Sequence, residues 1–295
     1  MNDEQVTSRQ AIYDRQLLLS GIKRNVVLEL WEVQRYGVDS YHDADYVAVY
    51  GMRPAEWYAK GVRLLGRTAV ECTRDALGDA IGKDVAAVAA MTPHVAGILV
   101  VDLFAGSGNT LHWLVRHIAG ATALGFELDA DVVRLTQKNL ETLASPIRIL
   151  NTDYRFGMTD VSLAADQLLI AFIAPPWGDA LDRTGGLDLR RTTPPISEIL
   201  DFLFDRFTPN RLLCAIQIYE AVDGASLAEL RSRFDWSALR VYALNARGKN
   251  HGILVGSKRW APIARPDLSL NSDASPETLA GGPLGAAWLG SSGDI

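Results

Sequence analysis

The chain has 295 residues, of which 48% are hydrophobic and 22% charged, with a formal net charge of −6. That length supports one or two buried cores, and the apolar and charged fractions are those of an ordinary globular protein rather than a disordered or fibrous one. The negative balance excludes the broad basic surface on which binding along a nucleic-acid backbone depends, so no extended nucleic-acid surface is expected.

In chain order, the opening Met1 to Gln10 has no basic region followed by an apolar one, so no secretory signal is expected. No apolar run approaches the about 20 residues of a membrane span, so no membrane partner is expected either. Two cysteines, Cys72 and Cys214, show no pairing or metal spacing, and the five histidines form no ligand cluster. A reduced, cytoplasmic setting without a metal is the expectation. Residues 1–95 read as a mostly helical extension, broken at Gly37, at Gly51-Met52-Arg53-Pro54 and at Gly66. The extension holds Tyr36, Tyr41, Tyr46, Tyr50, Trp57 and Tyr58, which serve either as helical core or, in part, as a roof over a substrate pocket.

From about residue 96 strands and helices alternate. Val100 to Thr110 runs as an apolar strand into Gly106-Ser107-Gly108 and a helix opening at Asn109. Two glycines let the backbone turn sharply and approach a ligand, and free N–H groups at the helix start face it. A dinucleotide site would carry a third glycine three residues after Gly108, where this chain has Leu111. A second strand over Ala121 to Asp129 places Glu127 about twenty residues after the glycine turn, where a carboxylate can accept both hydroxyls of an adenosine ribose. A helix over Asp131 to Leu143 and a third strand over Ile147 to Leu150 lead to Asp153, placed to bond an adenine amino group. A fourth strand, Leu168 to Ile173, runs into Ala174-Pro175-Pro176-Trp177-Gly178, a rigid turn with an aromatic platform that suits a substrate site. Arg211 to Ile218 is a fifth strand, Ser226 to Phe234 a helix, and Leu239 to Leu244 with His251 to Gly256 a final pair. Residues 261–295, rich in Pro, Gly, Ser and Asp, read as a flexible tail with Leu284 to Leu289 as a small docking patch.

The sequences D-L-F-A-G-S-G-N-T, F-E-L-D and A-P-P-W-G together resemble the class I S-adenosylmethionine-dependent methyltransferases, in the branch that methylates exocyclic amines through a (D/N/S)PP(Y/F/W) turn. Within it, A-P-P-W-G-D-A-L-D and Leu187 to Thr192 are similar to trimethylguanosine synthase, the RNA cap guanine-N2 methyltransferase. The resemblance spans roughly residues 95 to 257. It implies an α/β, Rossmann-like seven-stranded sheet with helices on both faces, formed by residues 96–260 as the catalytic domain behind the N-terminal helical extension. It implies S-adenosylmethionine as cofactor, with Asp102, Phe104, Gly106, Gly108 and Asn109 around its methionine part, Glu127 at the ribose and Asp153 at the adenine. Ala174, Pro175, Pro176 and Trp177 would hold the acceptor, the Ala174 carbonyl accepting an N–H and Trp177 stacking on a planar ring. The chain departs from the family at Ala174, where Asp, Asn or Ser is usual; Asp179 or Asp182 could then supply an acceptor. The bland alternatives are a structural turn at Gly106 and Gly108, a solvated strand end at Glu127, a packed Trp177, and an Asp102 that braces the glycine loop.

Three functions follow. The first is N-methylation of a planar, guanine-type amine in a nucleotide or short RNA, with Trp177 facing open space. The second is a small-molecule methyltransferase of a biosynthetic pathway, its pocket roofed by aromatics of residues 36 to 58. The third is a binding module without turnover. Arg183, Arg190, Arg191, Arg247, Lys249, Lys258 and Arg259 are either solvated loop charges or, where they converge on the pocket, holders of an acceptor phosphate or carboxylate.

Overall fold

The computed structural model describes residues 12–182, 184–244 and 250–262. Five helices come first: α1 (Arg15–Leu19), α2 (Leu30–Tyr41), α3 (Pro54–Ala59), α4 (Gly66–Glu71) and α5 (Asp75–Ala89). Their starts follow local chemistry. Asp14 caps α1, Glu29 and Glu32 form a capping box on α2, and Pro54 opens α3 at the position where a missing N–H costs nothing. Gly37 does not break the chain as expected but lies inside α2. A Cβ there would stand 2.2 Å from the Asp43 carbonyl oxygen, so this glycine serves the close return of the chain after the helix, where Asp43 N–H donates to Gly37 O.

Strands and helices then alternate through β1 (Gly97–Asp102), α6 (Asn109–His117), β2 (Thr122–Glu127), α7 (Ala130–Thr142), β3 (Arg148–Asn151), α8 (Tyr154–Gly157) and β4 (Gln167–Ile173). A short hairpin, β5 (Leu181–Asp182) with β6 (Gly186–Leu187), and α9 (Ile196–Arg206) intervene before β7 (Arg211–Tyr219), α10 (Gly224–Arg231), β8 (Trp236–Tyr242) and β9 (His251–Lys258). The hairpin, α8 and α9 are additions to the sequence expectation. The seven-stranded sheet has the order β3-β2-β1-β4-β7-β9-β8. β9 runs antiparallel to β7 and β8, which makes the final pair the expected antiparallel hairpin, and the remaining neighbours are parallel.

Alternation along each strand sends successive side chains to opposite faces. Val100, Ile170, Leu213 and Val255 join one buried cluster together with α5, α6 and the N-terminal residues Leu18 and Trp57. Val101, Leu169, Cys214 and Leu254 join the other, covered by Ile199 and Leu203 of α9 and Leu227 of α10. Helices thus pack on both faces. The central strand β4, Gln-Leu-Leu-Ile-Ala-Phe-Ile, is apolar nearly throughout because both its faces are buried. No helix among the described residues is long and apolar enough to cross a membrane.

Candidate active site

The strand order reverses between β1 and β4, and in an open parallel sheet the crevice outside the carboxyl ends at such a point is where ligands bind. Asp102, Glu127, Asn151 and Ile173 end the four strands along this edge. At its centre the turn after β1 holds Gly106 at φ +48° and Gly108 at φ +70°. A Cβ on Gly106 would meet nothing within 4 Å, so its left-handed backbone borders open space rather than packed protein. The turn is held from below: Thr136 donates its hydroxyl to Gly106 O at 2.9 Å, and Gly106 N–H donates to Glu127 Oε2 at 3.2 Å.

Glu127 Oε1 accepts Asp129 N–H at 2.9 Å, so each carboxylate oxygen has one protein donor and keeps a lone pair for another. Asp102, 1% exposed, accepts Phe104 N–H at 3.0 Å, and burial pushes its carboxyl up to about 7, with the Glu127 charge adding to the rise. It braces the glycine loop through that bond. Phe104 lies on the shoulder of the turn, its ring 5.6 Å from Tyr154. Asp153 caps α8 by accepting Arg155 N–H and holds the Arg155 guanidinium with both oxygens, at 2.9 and 2.6 Å; that hydrogen bond holds it below the usual carboxylate range. Two large apolar side chains stand exposed here, Leu128 directly after Glu127 and Phe156 in α8.

Asn109 does not offer its side chain to the crevice. Fully buried, it accepts Tyr50 N–H at 2.7 Å and donates to Thr73 O at 2.7 Å and to Asp75 at 3.1 Å, engaging every one of its polar groups with the N-terminal extension. Tyr50, itself at φ +58°, donates its hydroxyl to Ser107 O, and Gly51 N–H donates to Asp75. Arg67 of α4 reaches Asp129 at 2.7 Å. The extension therefore clamps the loops after β1 and β2. Of its aromatics, Tyr36 and Trp57 are buried core, Tyr50 seats on the glycine turn, and Tyr41 stacks on Tyr46, over which Arg74 lies at 3.8 Å.

The acceptor turn leaves β4 with Ala174 half-buried, Pro175 buried, Pro176 exposed and Trp177 half-buried at the head of a 3-10 turn. The Trp177 ring is not open on all sides: His251 stacks on it at 5.3 Å and 24°, and Tyr219 meets it edge-on at 6.1 Å. Asp182 Oδ1 is taken up by its own turn. Its carboxylate takes the Thr184 hydroxyl and the N–H groups of Thr184 and Gly185, which hold it down at about 2, and so closes the β5–β6 turn. Asp179 is exposed.

Among the described residues, Arg190, Lys258 and Arg259 do not converge on the pocket. Arg190 is bridged to Asp188 and Asp223. Lys258 lies opposite Leu212, at the far edge of the sheet, because β9 runs antiparallel, and Arg259 follows it there. Arg183, Arg247, Lys249 and the 263–295 part of the tail lie outside the described residues. The same antiparallel course brings His251, opposite Tyr219 and Tyr242, to the site edge. Sequence reading passed over His251, Tyr219, Gln217 and Arg67 because no short-range spacing links them to the motifs.

No protein-family model matches the chain, and no curated protein matches it in sequence. Among solved structures it is similar to an rRNA methylase from Streptococcus thermophilus, at 14% identity over 64% of this chain and 99% of that one, with TM-score 0.39. It is also similar to the human methyltransferase 10 domain containing protein, at 16% identity over 63% and 84% and TM-score 0.43. The METTL16 methyltransferase domain matches at 13% identity over 65% and 72%, with TM-score 0.45. The fold is a seven-stranded, Rossmann-like α/β sheet with helices on both faces.

Proposed function

We propose that the chain is an S-adenosylmethionine-dependent methyltransferase that N-methylates an amine on a planar, guanine-type acceptor of nucleotide size or smaller. The observation that carries the reading is the glycine turn at the sheet's switch point, left-handed at Gly106 with open space above it and backed by Glu127. The free lone pairs of Glu127 suit the two ribose hydroxyls, and the exposed Leu128 and Phe156 suit the faces of an adenine. Asp102 and the turn's backbone suit the polar methionine end. When bound, the cofactor supplies an electrophilic methyl group on a sulfonium. The chain's own contribution is alignment: Pro175 and Pro176 set two φ angles so that the Ala174 carbonyl can orient an N–H, and Trp177 offers its remaining face to a planar ring. Such positioning removes about 7–11 kcal/mol of barrier. The half-covered Trp177 also favours the second reading, a small non-nucleotide acceptor, over a long RNA. Cys72 and Cys214 are free thiols that burial pushes up to about 12.

Calorimetric titration with S-adenosylmethionine, S-adenosylhomocysteine and NAD tests the reading, with Glu127→Ala as control. Binding of the two sulfur nucleotides but not NAD, weakened in the variant, is the expected result. NAD binding, or sulfur-nucleotide affinity unchanged in Glu127→Ala, would overturn it.

A further inference from the structure

We propose that the acceptor of this site is an anionic planar amine whose phosphate or carboxylate is held by Arg74 and Arg15 of the extension; this rests on the methyl-transfer reading above. The alternation of the strands sets which face meets those arginines. Ile253 and Val255 of β9 join the buried cluster beneath α5, so His251, two residues before Ile253, points to the same face. Tyr242, its partner on β8, belongs to that cluster and donates its hydroxyl to Asp84 of α5 at 2.8 Å. Ala174 packs against it too, together with Tyr46 and Cys72 of the extension. Trp177 stacks on the His251 ring, and so the acceptor platform borders the face that the extension covers.

Arg74 occupies the corner between this platform and the glycine turn. It is the N-cap residue of α5, and both its neighbours are fastened to the turn: Thr73 O and Asp75 Oδ1 accept the Asn109 amide at 2.7 and 3.1 Å. Its half-buried guanidinium lies 3.8 Å from the centre of the Tyr46 ring, which stacks in turn on Tyr41. A ring on the flat face of a guanidinium fixes its plane and leaves the N–H donors along its edge open. Among the described residues neither Arg74 nor Arg15 makes a hydrogen bond or an ion pair, whereas Arg67, Arg190 and Lys258 each bridge to a carboxylate. Both positive charges act on His251: burial is the larger cause, and with it they push the imidazole down to about 4, so the ring stays uncharged at neutral pH. Two unbridged cations thus face one neutral ring, in a chain whose net charge is −6. An anion entering there relieves their mutual repulsion and meets two guanidinium forks, each able to take a phosphate or carboxylate with paired N–H bonds. The cations stand on the extension and the platform on the sheet, so only an acceptor that carries ring and anion together bridges the two.

Two matched pairs of probes are titrated into protein saturated with S-adenosylhomocysteine: guanosine 5′-monophosphate against guanosine, and para-aminobenzoate against aniline. Wild type is expected to bind the anionic member of one pair about tenfold or more tighter than its neutral partner, and the pair that responds tells phosphate from carboxylate. In Arg74→Gln the preference falls to about threefold or less, in Arg15→Gln it drops by about threefold, and Arg74→Lys keeps more of it than Arg74→Gln. Added salt weakens the preference in wild type. S-adenosylhomocysteine affinity stays within about twofold in all three variants. Arg15 is exposed, so Arg15→Gln reads the same preference where Arg74→Gln does not fold. Equal affinity within both pairs in wild type, a preference unchanged in Arg74→Gln or in Arg15→Gln, or loss of S-adenosylhomocysteine together with the probes in a folded Arg74→Gln would overturn the assignment. Failure of all the probes to bind wild type overturns it together with the planar-amine acceptor, while failure of S-adenosylhomocysteine to bind wild type strikes the methyltransferase reading itself.

Discussion

Replacing Asn109 by alanine removes a side chain that ties the helix start after the glycine turn to the N-terminal extension. Its three hydrogen bonds, to Tyr50 N–H at 2.7 Å, Thr73 O at 2.7 Å and Asp75 at 3.1 Å, are all lost. Asp75 keeps Trp113 Nε1 at 2.8 Å and Gly51 N–H at 2.9 Å, so the buried Tyr50 N–H and the half-buried Thr73 carbonyl are left without partners. At about 1–3 kcal/mol for each orphaned group, the variant is expected to lose roughly 2–5 kcal/mol. For a chain of this size that lowers Tm by about 5–15 °C. Thermal and urea unfolding followed by near-ultraviolet circular dichroism measure the loss, and S-adenosylhomocysteine calorimetry on the folded variant reports whether releasing Tyr50 also loosens Ser107. A destabilisation below about 1 kcal/mol would refute the reasoning, because only a surface-like site tolerates such a deletion so cheaply.

Gly106→Val is expected to abolish S-adenosylhomocysteine binding while the fold loses only the about 1–2 kcal/mol of a left-handed non-glycine residue, whereas Trp177→Ala keeps cofactor affinity and loses turnover; equal loss of cofactor binding in both removes the division of roles. Asp102 binds a proton in the native state, at about 7, that the unfolded chain releases near the ordinary carboxylate value, so its contribution to stability falls as pH rises from about 4 to about 7. Urea midpoints at pH 5 and pH 8 are therefore expected to differ less in Asp102→Asn than in wild type, and identical differences would contradict the assignment. Gly37→Ala, normally a gain of about 0.5–1 kcal/mol inside a helix, is expected to destabilise by about 1–3 kcal/mol because its Cβ meets the Asp43 carbonyl; a raised Tm would show that the chain gives way there.

The sequence by itself determined what local chemistry can encode. Apolar strands running into the Gly106–Gly108 turn, the acidic ends at Glu127 and Asp153, the Pro-Pro-Trp turn and the helical spacing of α7 are all short-range patterns, and the structure has each of those elements where they were read. The tertiary structure decided where side chains turn and what shares an edge. Asn109 follows the glycine turn in sequence yet bonds Tyr50, 59 positions away, so its direction depends on how the extension folds back. Lys258 and His251 both flank the last strand, and only the antiparallel course of β9 sends the lysine to the far edge and the histidine to the site. Gly37 reads as a breaker in isolation and becomes a helix residue once Asp43 packs against it. Spacing along a chain reports contacts within a turn or a pleat, whereas these pairings arise from strand direction and loop return, which burial of two whole faces of the sheet selects.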